Sequence, residues 1–346
     1  MMGRSMDELP DTIRDEAHLE EVLSRPSPAL VAFLARLDGR LMVLGAGGKM
    51  GPTLVRMAQR AVEAAGVRKE VIAVGRRPLE TLQAGGVRTL VCDLLDPAAV
   101  EGLPHAENVV FMAGRKFGST GDEPATWAAN VLVPYHVART FAGARVAVFS
   151  TGCVYPLADV AGGGSTERTP PDPVGEYGMS CLGRERVFDY VSRTAGGKVV
   201  HLRLNYAVEM RYGVLADVAT TVWRGGPVDL TTAWANVIWQ GDACAWALRS
   251  LALAASPPKV LNVTGPETVS IRDLAETFGR LFGKPVAFTG ADSGRAYLSD
   301  ASEANALFGP PRVPLERLIR WTADWVRRGG RSLDKPTHYQ VQDGKF

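Results

Sequence analysis

Cysteine is scarce in this chain, and the little present forms no pattern. The four cysteines, Cys92, Cys153, Cys181 and Cys244, are scattered without CxxC or histidine-rich spacing, so neither a disulfide framework nor a zinc site is suggested and no metal is expected. An excess of charge is missing too. The formal net charge is +2 and no basic stripe occurs, which argues against nucleic acid or an anionic membrane as the main partner. No uninterrupted apolar stretch approaches the roughly 20 residues that a membrane helix needs. The acidic opening MDELPDTIRDEAHLEE does not read as a signal or transit segment, and a cytoplasmic location is expected. Repeats and low-complexity tracts are absent. What remains is a chain of 346 residues with 46% apolar content, ample for a large core or two lobes.

Between Leu41 and about Tyr206 the chain alternates apolar runs of strand length (LMVL, VIAV, TLVC, NVVFMAG, VAVFS, VVHLRL) with helical stretches. Six strands separated by helices imply an α/β fold, a Rossmann-type doubly wound parallel sheet. Residues 1–40 precede it as a helical arm of two helices, the second starting at Ser27 with Pro28 in the first-turn position that suits proline. The apolar face of that helix (Leu30, Phe33, Leu34, Leu37) is expected to dock on the body. After Tyr206 the pattern loosens into a smaller α/β substrate lobe over 207–330, with about 235–265 returning to the sheet. Residues 331–346 read as a polar, loose tail.

The densest signal lies at Leu41–Thr53, LMVLGAGGKMGPT, where an apolar run meets closely spaced glycines and then turns helical. Gly45 lets the chain turn sharply after the strand. Gly48 and Gly51 remove side chains where a pyrophosphate and the strand approach the next helix, whose free N–H groups and positive dipole end attract phosphates. Gly45, Gly48, Lys49, Met50 and Gly51 are thus expected to cradle a dinucleotide.

Two further landmarks follow in order: FSTGCVYP at Phe149–Pro156, directly after a strand, and EYGMSCLGRERV from Glu176. With the glycine loop, they resemble the extended short-chain dehydrogenase/reductases, the family of nucleotide-sugar epimerases and dehydratases. The resemblance covers about residues 41–330. It implies that Tyr177 is the acid or base of a YxxxK motif, that Thr151 hydrogen-bonds the same substrate oxygen, and that Asn130 is the helix asparagine often found near that site. It also sets Ala113 and Gly114, after the fourth strand, against the cofactor, and Asp93 with Leu94, after the third, near the adenine.

Cys181 stands where the family has lysine. A free tyrosine has a pKa of about 10 and is a poor base at neutral pH unless a nearby cation stabilises the phenolate. No lysine lies between Lys116 and Lys198. Lys116, in GRKFGST after the fourth strand, is therefore the expected substitute, since loops at the carboxyl ends of parallel strands line the ligand crevice. Arg184, seven residues after Tyr177 on the same helical face, reads rather as a solvated or salt-bridging arginine. Cys181 itself reads as a small buried apolar residue.

The second strand ends in Gly75, Arg76 and Arg77, where NAD-preferring sites place an acidic residue. Two arginines there suit a 2′-phosphate, so NADP is expected, with NAD left open if the pair only stacks on adenine. The segment LRLNYAVEMRYG departs from the family's RPxNVYG-like pattern, although Arg203, Asn205, Tyr206 and Arg211 are placed to face a substrate. Trp234 and Trp239 read equally as core or as sugar-stacking residues. The expected function is an NAD(P)-dependent sugar or nucleotide-sugar epimerase/dehydratase acting through a keto intermediate on a small sugar-like substrate. A homodimer is expected through the helices that hold Asn130 and Tyr177. An NADPH-dependent carbonyl reductase and a non-catalytic dinucleotide sensor or scaffold are the alternatives.

Overall fold

The computed structural model of the chain describes residues 8–116 and 118–345. The first seven residues of the arm, Phe117 and the last residue of the tail lie outside the described residues. Each of the six apolar runs forms a strand: β1 (Leu41–Leu44), β2 (Val71–Gly75), β3 (Arg88–Val91), β4 (Asn108–Phe111), β5 (Arg145–Thr151) and β6 (Lys198–Leu204). A seventh, β7 (Lys259–Val263), returns from the lobe and pairs with β6. All are parallel, in the order β7-β6-β5-β4-β1-β2-β3. The order reverses between β1 and β4: β1 pairs with β2 on one side and β4 on the other, with Leu41 opposite Val71 and Asn108. That reversal opens a crevice at the carboxyl edge of the sheet.

Strand periodicity sends alternate side chains to opposite faces. In β1, Leu41 and Val43 enter the core shared with helix α3 (Gly51–Ala65), while Met42 and Leu44 enter the core on the other face. A sheet buried on both sides reads as a continuous apolar run, which is why LMVL is legible as a strand. Helix α3 carries Pro52 in its first turn and ends on Gly66 in the left-handed region, φ 65°, as helix punctuation favours.

The arm is not a loose extension. Helix α1 (Glu16–Leu23) places Leu19 and Leu23 in the lobe's core with Trp239 and Trp321, whereas α2 (Pro28–Arg36) places Leu30 and Leu34 in the core beside α3. Glu20 of α1 accepts from Arg56 of α3 and from Arg211 beside the lobe, both at 2.7 Å, so the arm clamps both parts. The tail is also held down, with Thr337 1% and Tyr339 7% exposed, rather than loose as its polarity suggested.

Candidate active site

Three loops and one helix meet at the carboxyl edge of the sheet. The first follows β1. A Cβ on Gly45 (φ 87°) would stand 2.6 Å from the Ala113 nitrogen, and one on Gly51 would stand 2.2 Å from the Ala46 carbonyl oxygen. Only glycine permits that approach of loop, helix and the β4 edge. Helix α3 begins without a side-chain cap, with the Gly51 N–H donating to the Gly48 carbonyl at 3.2 Å and Pro52 carrying no N–H, so it offers a ligand's phosphate oxygens its positive dipole end rather than a row of free amides. These residues fit a dinucleotide. The Lys49 ammonium turns toward the lobe, 3.0 Å from the Ala207 carbonyl and 3.4 Å from the centre of the Tyr212 ring. Burial pushes its pKa down to about 7. Met50 packs its side chain on the core below the loop.

Arg76 and Arg77 stand exposed after β2. Asp93 is exposed as well and accepts from the Leu95 N–H at 3.1 Å, while Leu94 is buried. Gly114 leaves room for Arg184, whose Nη2 would lie 2.3 Å from a Cβ there.

The second and third loops and the helix build the reacting end. Strand β5 ends at Thr151, where the chain enters a single turn and the Cys153 N–H donates to Thr151 Oγ1 at 3.2 Å. Helix α5 (Gly175–Ala195) carries Tyr177 in its first turn and Cys181 one turn later. Thr151 and the Cys181 thiol adjoin the buried Tyr177 hydroxyl and act on its protonation. Burial raises the phenol well above its ordinary range; the nearby Cys181 and Cys153 add to this, and Arg184 and Thr151 oppose it. Burial also pushes the Cys181 thiol up to about 11, so it is a neutral neighbour and not a thiolate.

The Lys116 ammonium, from the loop after β4, lies 5.8 Å from the Tyr177 ring centre. Burial lowers its pKa against the opposing pull of Cys153, Cys181 and Asp217. Arg184 is not the solvated arginine that its place in the sequence suggested. It is 6% exposed, and its guanidinium donates to the Phe149 carbonyl at 2.6 Å and to Asn130 Oδ1 at 2.7 Å. A long side chain at that helical position points into the β4–β5 seam, and Asn130 receives it. Asn130 sits in a π-helical stretch, Ala128–Leu132, inside the helix α4 formed by Glu123–Trp127, Ala128–Leu132 and Val133–Thr140. Such bulges often accompany functional sites. Asn130 also accepts from the Arg115 N–H and donates to the Arg115 carbonyl and to Ser180. It therefore ties the Lys116 loop to the Tyr177 helix, and its four hydrogen bonds to three residues give it a positioning place.

Three of the four residues read as facing a substrate are occupied elsewhere. Arg203 pairs with Glu185 at 2.7 Å, 4% and 1% exposed; Asn205 donates to the Tyr297 carbonyl at 2.7 Å; Arg211 is held by Glu209 and Glu20. Trp239 is core, 5.6 Å from Trp321 between ring centres, and the Trp234 indole donates to Asp292. Tyr206 remains beside the site at φ 38°. Sequence reading missed Tyr297, 3% exposed, whose hydroxyl has no partner among the described residues, and no spacing rule marks such a residue.

Glycine-rich turn, parallel sheet order and flanking helices together make a Rossmann-type α/β domain. Residues 41–208 match the model of the NAD dependent epimerase/dehydratase family. No curated protein matches the chain in sequence. Among solved structures it resembles MoeE5 in complex with UDP-glucose and NAD, at 24% identity and TM-score 0.67, over 84% of this chain and 99% of the other. It also resembles the UDP-glucose 4-epimerase of Thermus thermophilus in complex with NAD, at 22% and 0.65 over 83% and 99%. A third is DesIV, the dTDP-glucose 4,6-dehydratase of Streptomyces venezuelae with NAD bound, at 20% and 0.70 over 84% and 97%. At these identities the likeness is one of fold.

Proposed function

We propose that the chain is an NAD(P)-dependent epimerase or dehydratase that oxidises a hydroxyl of a sugar-like substrate and returns the hydride within one turnover. The observation that carries this reading is the convergence of the buried Tyr177 hydroxyl and Thr151, placed at the crevice next to the glycine cradle. Gly45, Gly48 and Gly51 with the start of α3 would hold the pyrophosphate, and the nicotinamide, when bound, supplies the hydride acceptor. Tyr177 takes the hydroxyl proton and later returns it, and Thr151 steadies the substrate oxygen. Lys116 and Arg184 supply the positive charge that the motif's missing lysine would have given. The unpartnered Tyr297 hydroxyl offers a hydrogen bond to a substrate hydroxyl. The relatives named above carry UDP-glucose or act on UDP- or dTDP-glucose, which supports a nucleotide-linked sugar here.

One observation favours a second reading. The raised Tyr177 pKa keeps the phenol protonated, which suits a proton donor in net carbonyl reduction by NADPH. Arg76 and Arg77, exposed at the end of β2, suit the 2′-phosphate of NADP. Absorbance at 340 nm decides between them with UDP- and dTDP-hexoses as probes. Product formation with no net absorbance change supports the epimerase/dehydratase, steady NADPH loss supports the reductase, and cofactor binding without either leaves only a dinucleotide sensor.

The chain is further proposed to pair with a second copy. Trp127, Leu132 and Tyr135 on α4 and Met179 and Tyr190 on α5 are large apolar residues between 37% and 62% exposed. Neighbouring exposed apolar groups of this kind mark association surfaces. Sedimentation of a Leu132→Glu/Tyr190→Glu variant checks this, with a shift from dimer to monomer expected.

A further inference from the structure

The carboxy-terminal segment 331–345 crosses the lobe-facing side of the site as a strap. It starts where the Leu333 N–H donates to the Arg211 carbonyl at 3.0 Å. Thr337 then meets helix α6 (Val214–Arg224): its N–H donates to Asp217 Oδ2 at 2.8 Å, and its hydroxyl donates to the same oxygen. Further on, the Tyr339 hydroxyl donates to the Asp229 carbonyl at 3.1 Å, and Gln342 Nε2 donates to the Thr231 carbonyl and the Thr232 and Ser293 hydroxyls. The strap ends against the first turn of the helix that carries Tyr177. A Cβ on Gly175 would stand 2.7 Å from the Gly344 carbonyl oxygen. Asp334 and His338 hold φ 51° and 54°, a region that non-glycine residues keep only where their surroundings fix them.

The strap also reaches the ammonium beside Tyr177. The Thr337 carbonyl lies 3.4 Å from Lys116 Nζ. A lysine stem is long and flexible, and its ammonium is a compact charge that goes where acceptors hold it. The Thr337 carbonyl can serve as such an acceptor only while Asp217 fixes the residue from the other side. We propose that Thr337 and Asp217 are positioning residues: their hydrogen bonds latch the strap so that the Thr337 carbonyl seats the Lys116 ammonium next to Tyr177. The strap is then part of the active site, and substrate enters a site that this segment has closed on the lobe side. The proposal rests on the reading of Lys116 given above.

Competitive labelling with acetic anhydride, read residue by residue by mass spectrometry, tests the latch without any substrate. In the full chain Lys116 reacts slowly against the exposed Lys198. Thr337→Val removes the hydroxyl donor to Asp217 and is expected to raise Lys116 labelling about ten-fold, as local opening exposes the ammonium, and to move its labelling midpoint to higher pH as water returns. Thr337→Ser restores the slow rate. Deletion of 332–346 is expected to match or exceed Thr337→Val; should that shortened chain fail to fold by circular dichroism, the Val/Ser pair decides alone. Equal Lys116 rates in the full chain and Thr337→Val, or a Ser variant that behaves like Val, overturns the latch. Failure of the underlying reading looks different, because turnover that survives Tyr177→Phe would sink the role of Tyr177 while leaving the labelling contrast intact.

Discussion

Two buried polar regions lie within a few residues of each other on α5 and treat charge in opposite ways. In the Glu185 region, the carboxylate accepts from Arg203 through two nitrogens at 3.0 and 2.7 Å and from Ser150. Burial pushes the Glu185 pKa up, but Arg203, His201 and Ser150 outweigh it and hold the carboxyl below its usual range. In the Tyr177 region, Lys49 and Lys116 lie under burial that lowers both pKa values, and the phenol between the loops is raised. The first region is compensated and therefore structural. The second keeps desolvated groups whose protonation is shifted toward the neutral form, the condition that catalytic sites exploit.

Breaking the compensated region should give the largest effect. Glu185→Ala leaves Arg203 buried without its partner and is expected to cost about 3–5 kcal/mol of folding stability, read as a lower urea midpoint. Because the folded pKa of Glu185 lies below its unfolded value, its contribution is present above the unfolded pKa and disappears as pH falls through the folded one. The same network should therefore show as stability lost on acidification in the wild type and a flatter profile in Glu185→Gln.

Changing the second region should alter chemistry more than stability. Lys116→Met is expected to lower kcat by roughly ten- to a hundred-fold, in line with the weight of one positioned charge at a proton-transfer site, with the urea midpoint little changed. Lys49 gives an effect of known sign. Its folded pKa is about 7, against an ordinary lysine value near 10.4, so between these pH values the unfolded chain binds more protons and stability rises with pH. The penalty is complete below pH 7 and gone above the unfolded value, and Lys49→Met is expected to flatten that slope in thermal melts. The smallest effect concerns the exposed pair after β2. Arg76→Ala/Arg77→Ala is expected to weaken NADPH binding by about ten-fold, roughly 1.4 kcal/mol, and to leave NADH binding unchanged in fluorescence titrations. Equal losses for both cofactors would assign the pair to the adenine rather than to a 2′-phosphate.

The two regions also differ in how far the sequence revealed them. Gly45, Gly48 and Gly51 were legible because a strand, a turn and a helix start are local events, each announced by the residues that make it. Tyr177 and Thr151 were legible through motif order, and their nearness follows from strand β5 and helix α5 lying side by side. Arg203, Asn205 and Arg211 were misread as substrate-facing because their partners come from distant chain. Arg211 meets Glu20 across 191 residues, and Asn205 meets the Tyr297 carbonyl across 92. Arg184 looked solvated because a helical face alone does not tell which neighbour covers it; Asn130, in a π-helical stretch that no local pattern marks, is what covers it. The strap was invisible for the same reason: its residues are polar, as in a loose tail, and their acceptors on Asp217 and Asp229 lie more than a hundred residues away.

Hydride transfer in Tyr177→Phe tests the central claim most directly. The variant keeps the ring and loses the hydroxyl, so cofactor binding and the urea midpoint should remain near wild type, while turnover of a substrate that the wild-type enzyme converts should fall by about two to four orders of magnitude. Turnover within a few-fold of wild type, with binding intact, would contradict the account and remove the phenol from the chemistry.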